Sequence, residues 1–410
     1  MPVHFGGGGS NRNLEVLKRL KERLDIAFVP SIFGNLIHAI ESPYYSRSLL
    51  SMIDGLDLDT PDPIREMLKS VATSRPTLGP FKGFALITKV ARLLNRYSFE
   101  LAYSMSEIPH DVLLAALVPS RKRAFLMQGL WYTTDVVHDF LLEVSTKYYK
   151  AYSLSTYARV LQRSVIRNFT YLISRKFDAI FSINPELLNM TGLDRVVKDR
   201  GKIKVIRPGN ATSVDAMRAP SHKQDYVVHF GRLHPTKGLF LVPHVMRRIK
   251  HKGKEVKLVL FGKFADERVK KKFFSLVNRL GMADSVEYKG LLGQSHMYDV
   301  ISRAKAFLFP TLVDVHPLSV LDSIALGTAV VTRRLPTLEY LYQGLPSVAL
   351  CDDIFSMAEQ LEKFIDTDPE EYKAMFSDGK VVEFLREHSS WDKVAEAEHK
   401  AIIELMSRLK

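Results

Sequence analysis

The stretch "AFLFPTLVDVHPLSVLDSIALGTAVV", residues 306–331, opens and closes on apolar runs of strand length. Between them lie a turn-forming Pro310, a short loop carrying Asp314, and a segment whose apolar residues recur at helical spacing. Pro317 is well placed for the first helical turn, because its missing N–H would be unsatisfied there anyway, and Gly327 marks the expected stop. The order strand, loop, helix, strand is the repeating unit of a parallel sheet.

Reading outward, the same alternation fills the second half of the chain. "YVVHF" (226–230), "VKLVLF" (256–261), "SVEY" (285–288), "AFLFP" (306–310), "TAVVT" (328–332) and "SVAL" (347–350) are expected strands, with helices between most of them. In "DERVKKKFFSLVNRLG" the apolar residues repeat at helical spacing and Gly281 stands where a C-terminal cap belongs. The first half is less regular. "MPVHF" runs into "GGGGS" and the helix-like "NRNLEVLKRLKER", and "DIAFVPSI", "FELAYSM", "KRAFLMQ", "DAIFSI" and "KIKVIRPG" supply further strands. The polar, turn-rich "RPGNATSVDAMRAPSHKQD" (207–225) is the expected linker. The fold class expected is α/β: two Rossmann-like, doubly wound domains facing a central cleft, residues 1–215 and 216–410, with the last helix able to pack back on the first domain.

Composition bounds the function. The 410 residues are 46% hydrophobic and 25% charged, enough for two or three domains with substantial cores. No apolar run approaches the roughly 18 residues of a membrane span, and the start has no apolar region of signal-peptide length. With one cysteine, Cys351, there is neither an internal disulfide nor a cysteine-based zinc cluster, and a cytoplasmic setting is expected. The net charge of +13 is uneven: residues 1–218 hold 30 Lys and Arg against 20 acids, and residues 219–410 hold 28 against 25. A basic first half points to an anionic partner.

That excess is densest between Glu143 and Asp178, where 34 residues hold seven Lys or Arg and no acid. Arg159, Arg163 and Arg167 recur every fourth position, with Leu161, Val165, Phe169 and Leu172 about half a turn away. This is an amphipathic pattern with an arginine stripe. It reads either as the solvated face of a buried helix or as a surface for lipid or phosphate. Tyr148, Tyr149, Tyr152 and Tyr157, interleaved with Lys147 and Lys150, suit a headgroup zone, so an anionic membrane surface met through 144–177 is an expected partner, on the inner face. A nucleic acid is not expected, since no readout motif accompanies the charge.

Two loops carry the chemistry. In "HFGRLHPTKG" (229–238) a strand ends at Phe230, Gly231 permits close backbone approach, and Arg232 and Lys237 bracket a Pro-containing loop. Two cations beside a helix N-terminus make a diphosphate cradle, although Arg and Lys are also common in plain surface loops. In "DVHPLSVLD" (314–322) Asp314 falls at the loop and Asp322 about one turn into the helix. A carboxylate so placed accepts hydrogen bonds from vicinal hydroxyls; the plainer reading makes Asp314 a capping residue and Asp322 a solvated one.

Taken together, "GRLHPTKG", "LVLFGK", "VEYKGLL", "FLFPTLVDVHPLSVLDSIALGTAVV" and "SSWDKVAEAEHKAII" resemble, in order and spacing, the retaining glycosyltransferases of family 4 with the GT-B fold. The resemblance covers most of 226–405. The first half is similar in outline, with a Gly-rich loop in "FGGGGSNRN", "DAIFSINPELL", and "IKVIRPGNATSVD" before the linker. It implies an acceptor-binding N-terminal domain and a nucleotide-sugar-binding C-terminal domain. Arg232 and Lys237 match the pair that holds the leaving diphosphate, Asp314 the acid that meets the transferred sugar, and Asp322 the acid on the nucleotide ribose. His316 and the backbone of Pro317, Leu318 and Ser319 match the sugar and phosphate side. Gly231, Gly262 and the segment Gly290 to Leu292, with Leu291, match positions near the phosphates and base. Gly8, Gly9 and Gln128 match the acceptor side.

The sequence departs from that pattern twice. Both acids are Asp where the family has Glu, and Gln128 stands where the family commonly has a histidine. Glutamine can orient a hydroxyl but cannot take a proton near neutral pH. The implied activity is retaining, hexosyl-type transfer to a glycan or lipid-linked acceptor, with no cofactor and no metal. Asp57 to Asp59 lies in a turn-rich acidic loop and reads as solvated surface. A second reading is a degenerate GT-B protein that only binds a nucleotide sugar or glycan.

Overall fold

The computed structural model describes residues 8–27, 80–129, 168–193, 197, 199–212 and 222–407, with isolated positions between them. The expected strand "MPVHF", half of "DIAFVPSI", the Asp57 to Asp59 loop and residues 144–160 lie outside these. The chain divides into two compact units, one from Met1–Asp135, Leu161–Arg207 and Val394–Lys410, the other from Val136–Val160 and Pro208–Lys393.

In the second unit six strands form one sheet: β5 (Gln224–Phe230), β6 (Lys257–Phe261), β7 (Val286–Tyr288), β8 (Ala304–Phe309), β9 (Ala329–Arg333) and β10 (Val348–Cys351). All pairs are parallel and the spatial order is β10-β9-β8-β5-β6-β7. Successive strand residues feed opposite cores. Val227, Leu258, Leu260, Ala306, Leu308, Ala329 and Val331 pack on one face, with the helices Val242–His251, Glu267–Arg279 and Ile354–Asp366. Val228, Phe230, Val259, Phe261, Phe307, Phe309 and Val330 pack on the other, with Gln294–Arg303 and Leu318–Ala325. Burial on both faces is why these strands read as continuous apolar runs rather than alternating ones.

Lys223, at the entrance to β5, ties two helix ends together. Its ammonium donates to the carbonyls of Ser302 and Gly327 and to the Thr328 hydroxyl. Burial, then the neighbouring charge of Lys305, pushes its pKa down to about 7.

The first unit holds a parallel four-stranded sheet in the order β1 (Phe99–Ser104), β2 (Ser120–Met127), β3 (Ala179–Ser182), β4 (Ile203–Val205). The helix Gly8–Leu20 starts inside the glycine run, so Gly8 and Gly9 lie in its first turn and not in the loop expected there. Glycine is tolerated at a helix N-terminus, whereas in the interior its backbone freedom costs about 0.5–1 kcal/mol. Part of the last helix belongs to this unit. Fully buried Arg12 and Glu398 meet at 2.6 Å, and the Tyr103 hydroxyl donates to the second Glu398 oxygen at 2.8 Å.

The segment with the arginine stripe differs from the simpler expectation. Residues 161, 165 and 168–174 are helical, with Thr170, Ile173 and Ser174 buried. Leu161, Val165, Phe169 and Leu172 face outward. The apolar row is therefore not the inner face of a buried helix. Arg159, Arg163 and Arg167 lie outside the described residues.

Candidate active site

Strand order reverses between β5 and β8, the two central strands, whose following helices cover opposite faces of the sheet. At such a switch point the loops leaving the carboxyl ends diverge and open a crevice for ligands. The loop after β5 is "GRLHPTKG" and the loop after β8 is "PTLVDVHP", so the topology brings together the two stretches that carry the candidate residues.

Backbone contacts lock the two loops. The Leu312 N–H donates to the Thr236 carbonyl at 2.8 Å. Gly238, with φ +72°, lies so close to Pro310 that a Cβ there would sit 1.9 Å from its carbonyl oxygen. A tight turn over Pro235–Lys237, capped by the His234 side chain, aims Lys237 back across the gap. Its ammonium donates to Asp314 Oδ2 at 2.5 Å, with the side chains only 18% and 14% exposed. Asp314 Oδ1 accepts the Val315 N–H, and the Asp314 carbonyl accepts the Thr337 hydroxyl. Lys237 and Asp314, expected to serve phosphate and sugar separately, are thus partners of each other.

Arg232 is exposed and has no ion-pair partner among the described residues, leaving an unneutralised cation on the loop. With Lys237 it bears on His234, whose pKa falls to about 4, first through burial and then through those two charges. His234 is therefore neutral at physiological pH.

The helix Leu318–Ala325 starts at this crevice. Pro317 is its N-cap with extended backbone and no side-chain cap, one residue before the position expected. Val320 and Leu321 donate to the Pro317 carbonyl, while the amides of Leu318 and Ser319 carry no hydrogen bond among the described residues. Two open amides at the positive end of a helix suit an anion.

Asp322 is half-buried and accepts the Thr212 hydroxyl on Oδ1 at 2.7 Å. Thr212 is held by its own N–H on the His388 carbonyl, and Asn210 donates to the carbonyl of buried His316 at 2.9 Å. Residues 210–212, expected to be linker, are an ordered strap over the start of this helix. Behind it the fully buried Tyr342 hydroxyl has no hydrogen bond among the described residues. Burial, then the charges of Asp314 and Asp322, raises its pKa well above the usual phenol value. Thr212, Asn210 and Tyr342 escaped sequence reasoning; "NAT" within a turn-rich stretch and Tyr within an apolar helix carry no local signal of partnership.

Three glycines line the neighbouring carboxyl ends. Gly262, with φ +122°, follows β6, and a Cβ on it would fall 1.9 Å from the Gly231 oxygen. Its N–H donates to the Gly290 carbonyl at 2.7 Å and its carbonyl accepts the Tyr288 hydroxyl at 2.9 Å. The loops after β5, β6 and β7 therefore meet at close backbone contacts, with the Tyr288 side chain as a further tie. Beyond Gly290, Leu291 is 69% exposed and Leu292 half-buried.

In the first unit Gln128 follows β2 and is 6% exposed. Its side-chain amide donates to Asn13 Oδ1 and to the Met105 carbonyl, and its N–H donates to Glu107 Oε2. Only Oε1 of that side chain lacks a hydrogen bond among the described residues. No cluster of three or more His, Cys, Asp or Glu suited to a metal occurs among the described residues.

Residues 215–379 match the family described as Glycosyl transferases group 1. Among curated proteins, none matches the chain in sequence. Solved structures do. HepE of Anabaena, determined with UDP and glucose, superposes with a TM-score of 0.64 at 12% identity, covering 98% of this chain and 96% of that one. A glycosyltransferase from Rickettsia africae gives 0.60 at 11% identity, covering 93% and 97%. Sucrose-phosphate synthase of Thermosynechococcus elongatus gives 0.59 at 15%, covering 82% of each chain. Residues 215–379 are thus similar to the group 1 glycosyltransferases, and the chain has the GT-B fold of two Rossmann-like domains.

Proposed function

We propose that the protein transfers a hexosyl group from a nucleotide sugar, with retention of anomeric configuration and without a metal, to a glycan or lipid-linked acceptor. The observation that carries this reading is the meeting of Lys237 and Asp314 at the β5/β8 switch point beside the open amides of Leu318 and Ser319. A nucleoside diphosphate needs cations and amides on its phosphates and a carboxylate on hydroxyls, and this crevice presents both kinds. The match of 215–379 to group 1 glycosyltransferases supports it, as do UDP with glucose, and UDP-glucose, in HepE.

In this reading Arg232, Lys237 and the helix start at Pro317 to Ser319 face the charge that develops on the departing diphosphate. Preorganised groups of this kind lower the barrier by about 2–4 kcal/mol each. Lys237 is held in place by Asp314 before the donor arrives, so its position is set in advance. Asp314 offers its remaining acceptor capacity to the transferred sugar, and Asp322, steadied by Thr212, meets the ribose. Gly231, Gly262, Leu291 and Leu292 border the phosphate and base side, and His316 supports the strap through its carbonyl. Gly8, Gly9 and Gln128 belong to the acceptor side.

Turnover with a panel of nucleotide sugars, with the product anomer read by proton NMR, tests the proposal. Transfer with retention is expected. Tight binding without turnover would favour the degenerate reading, and an inverted product would overturn the stereochemical part.

A further inference from the structure

Residues 161, 165 and 168–174 are helical, and they are built the wrong way round for a solvated surface. Leu161 is 66% exposed, Val165 61%, Phe169 42% and Leu172 60%. Their spacing of four, four and three places them within about 80° of one helical face. On the opposite side Thr170 and Ser174 are buried with Ile173. A helix packed only for the fold would place Leu and Phe inward and Thr and Ser outward. Four large apolar side chains in one exposed row, rather than scattered singly, mark a surface that meets an apolar phase.

Charge selects which phase. Between Glu143 and Asp178 the chain has seven Lys or Arg and no Asp or Glu. Arg175 and Lys176 are exposed at the end of this same helix, next to Leu172. A second copy is a poor occupant, because an interface between identical faces would set two such acid-free basic segments against each other. A bilayer with anionic headgroups meets both requirements, taking the apolar row into its boundary and the flanking cations against its phosphates.

We propose that the exposed row Leu161, Val165, Phe169 and Leu172 docks this protein on an anionic lipid bilayer, lying in the plane of the headgroups. The row belongs to the first unit and owes nothing to the donor chemistry, so the two proposals fail separately.

Flotation of the full chain with vesicles tests it. The protein should rise with vesicles of phosphatidylcholine and phosphatidylglycerol, and far less with phosphatidylcholine alone. Leu161→Gln/Leu172→Gln, at exposed positions and checked by circular dichroism, should lose bound fraction by about tenfold or more. Phe169→Ala should lose less, and raised salt should weaken the wild type. Equal flotation of the double variant, or none by the wild type, overturns the proposal. So does a dimer in sedimentation that the double variant dissolves, which would assign the row to a second copy.

Discussion

Replacing Lys237 by Met separates its two tasks. The Lys237 to Asp314 contact is 2.5 Å long and both side chains are less than a fifth exposed, so the pair is largely out of water. Hydrogen bonds to charged groups contribute about 1.5–3 kcal/mol, and leaving one partner of a fully buried pair alone costs about 3–5 kcal/mol. With the residual exposure seen here, a loss of about 2–3 kcal/mol is expected, or about 5–10 °C in melting temperature for a domain of this size. Lys237 also faces the leaving diphosphate in the proposed reaction, which adds about 2–4 kcal/mol to the barrier when it is removed, about 30- to 900-fold in turnover. Lys237→Met/Asp314→Asn removes both charges together. Its stability should return to within about 1 kcal/mol of wild type, because no unpaired carboxylate remains. Its turnover should stay low. Calorimetric melting and initial rates on the same preparations provide both readouts. A double variant that recovers turnover along with stability would show that Lys237 acts only through the fold. An unchanged melting temperature in Lys237→Met would show that the pair contributes nothing.

Thr212→Val removes the donor that steadies Asp322 and should raise KM for the nucleotide sugar by about three- to tenfold with kcat little changed, a loss of about 1 kcal/mol in steady-state kinetics. Gly262→Ala places a methyl carbon 1.9 Å from the Gly231 oxygen at a φ that L residues avoid, so a loss of about 3 kcal/mol or more, seen in thermal melts, should accompany lost donor binding. Fully buried His229 has its pKa lowered to about 4 by burial, against a weaker opposite pull from the Leu308 carbonyl. The unfolded chain then binds more protons between about pH 4 and 6.5, so stability is full above that window and falls by about 3 kcal/mol on acidification through it. Urea titrations should show His229→Leu losing that part of the slope. Dialysis against a chelator should leave turnover unchanged, because none of the proposed phosphate contacts is a metal.

The parts legible in the sequence were those with local causes. Five of the six strands of the second unit announced themselves as short apolar runs because helices cover both faces, β7 with its exposed Glu287 being the exception, and Pro317 and Gly327 bracket a helix through their own backbone chemistry. Strand order is a long-range property. Nothing in the chain states that β5 and β8 are neighbours, so the pairing of Lys237 with Asp314, 77 positions apart, had to come from the structure. The same holds for Thr212 with Asp322, separated by 110 positions. At 161–172 the period was readable but its sense was not, since spacing fixes which residues share a face and not which way that face turns.

The central claim is that the β5/β8 crevice is a nucleotide-sugar site, and a thermal-shift series with nucleoside diphosphates and nucleotide sugars tests it most directly. One base should raise the melting temperature of the wild type, by about 2.7 kcal/mol in stability at a hundredfold excess over Kd, with the effect much reduced in Asp322→Ala and Arg232→Ala. No shift with any nucleotide, or equal shifts in all three proteins, would contradict it.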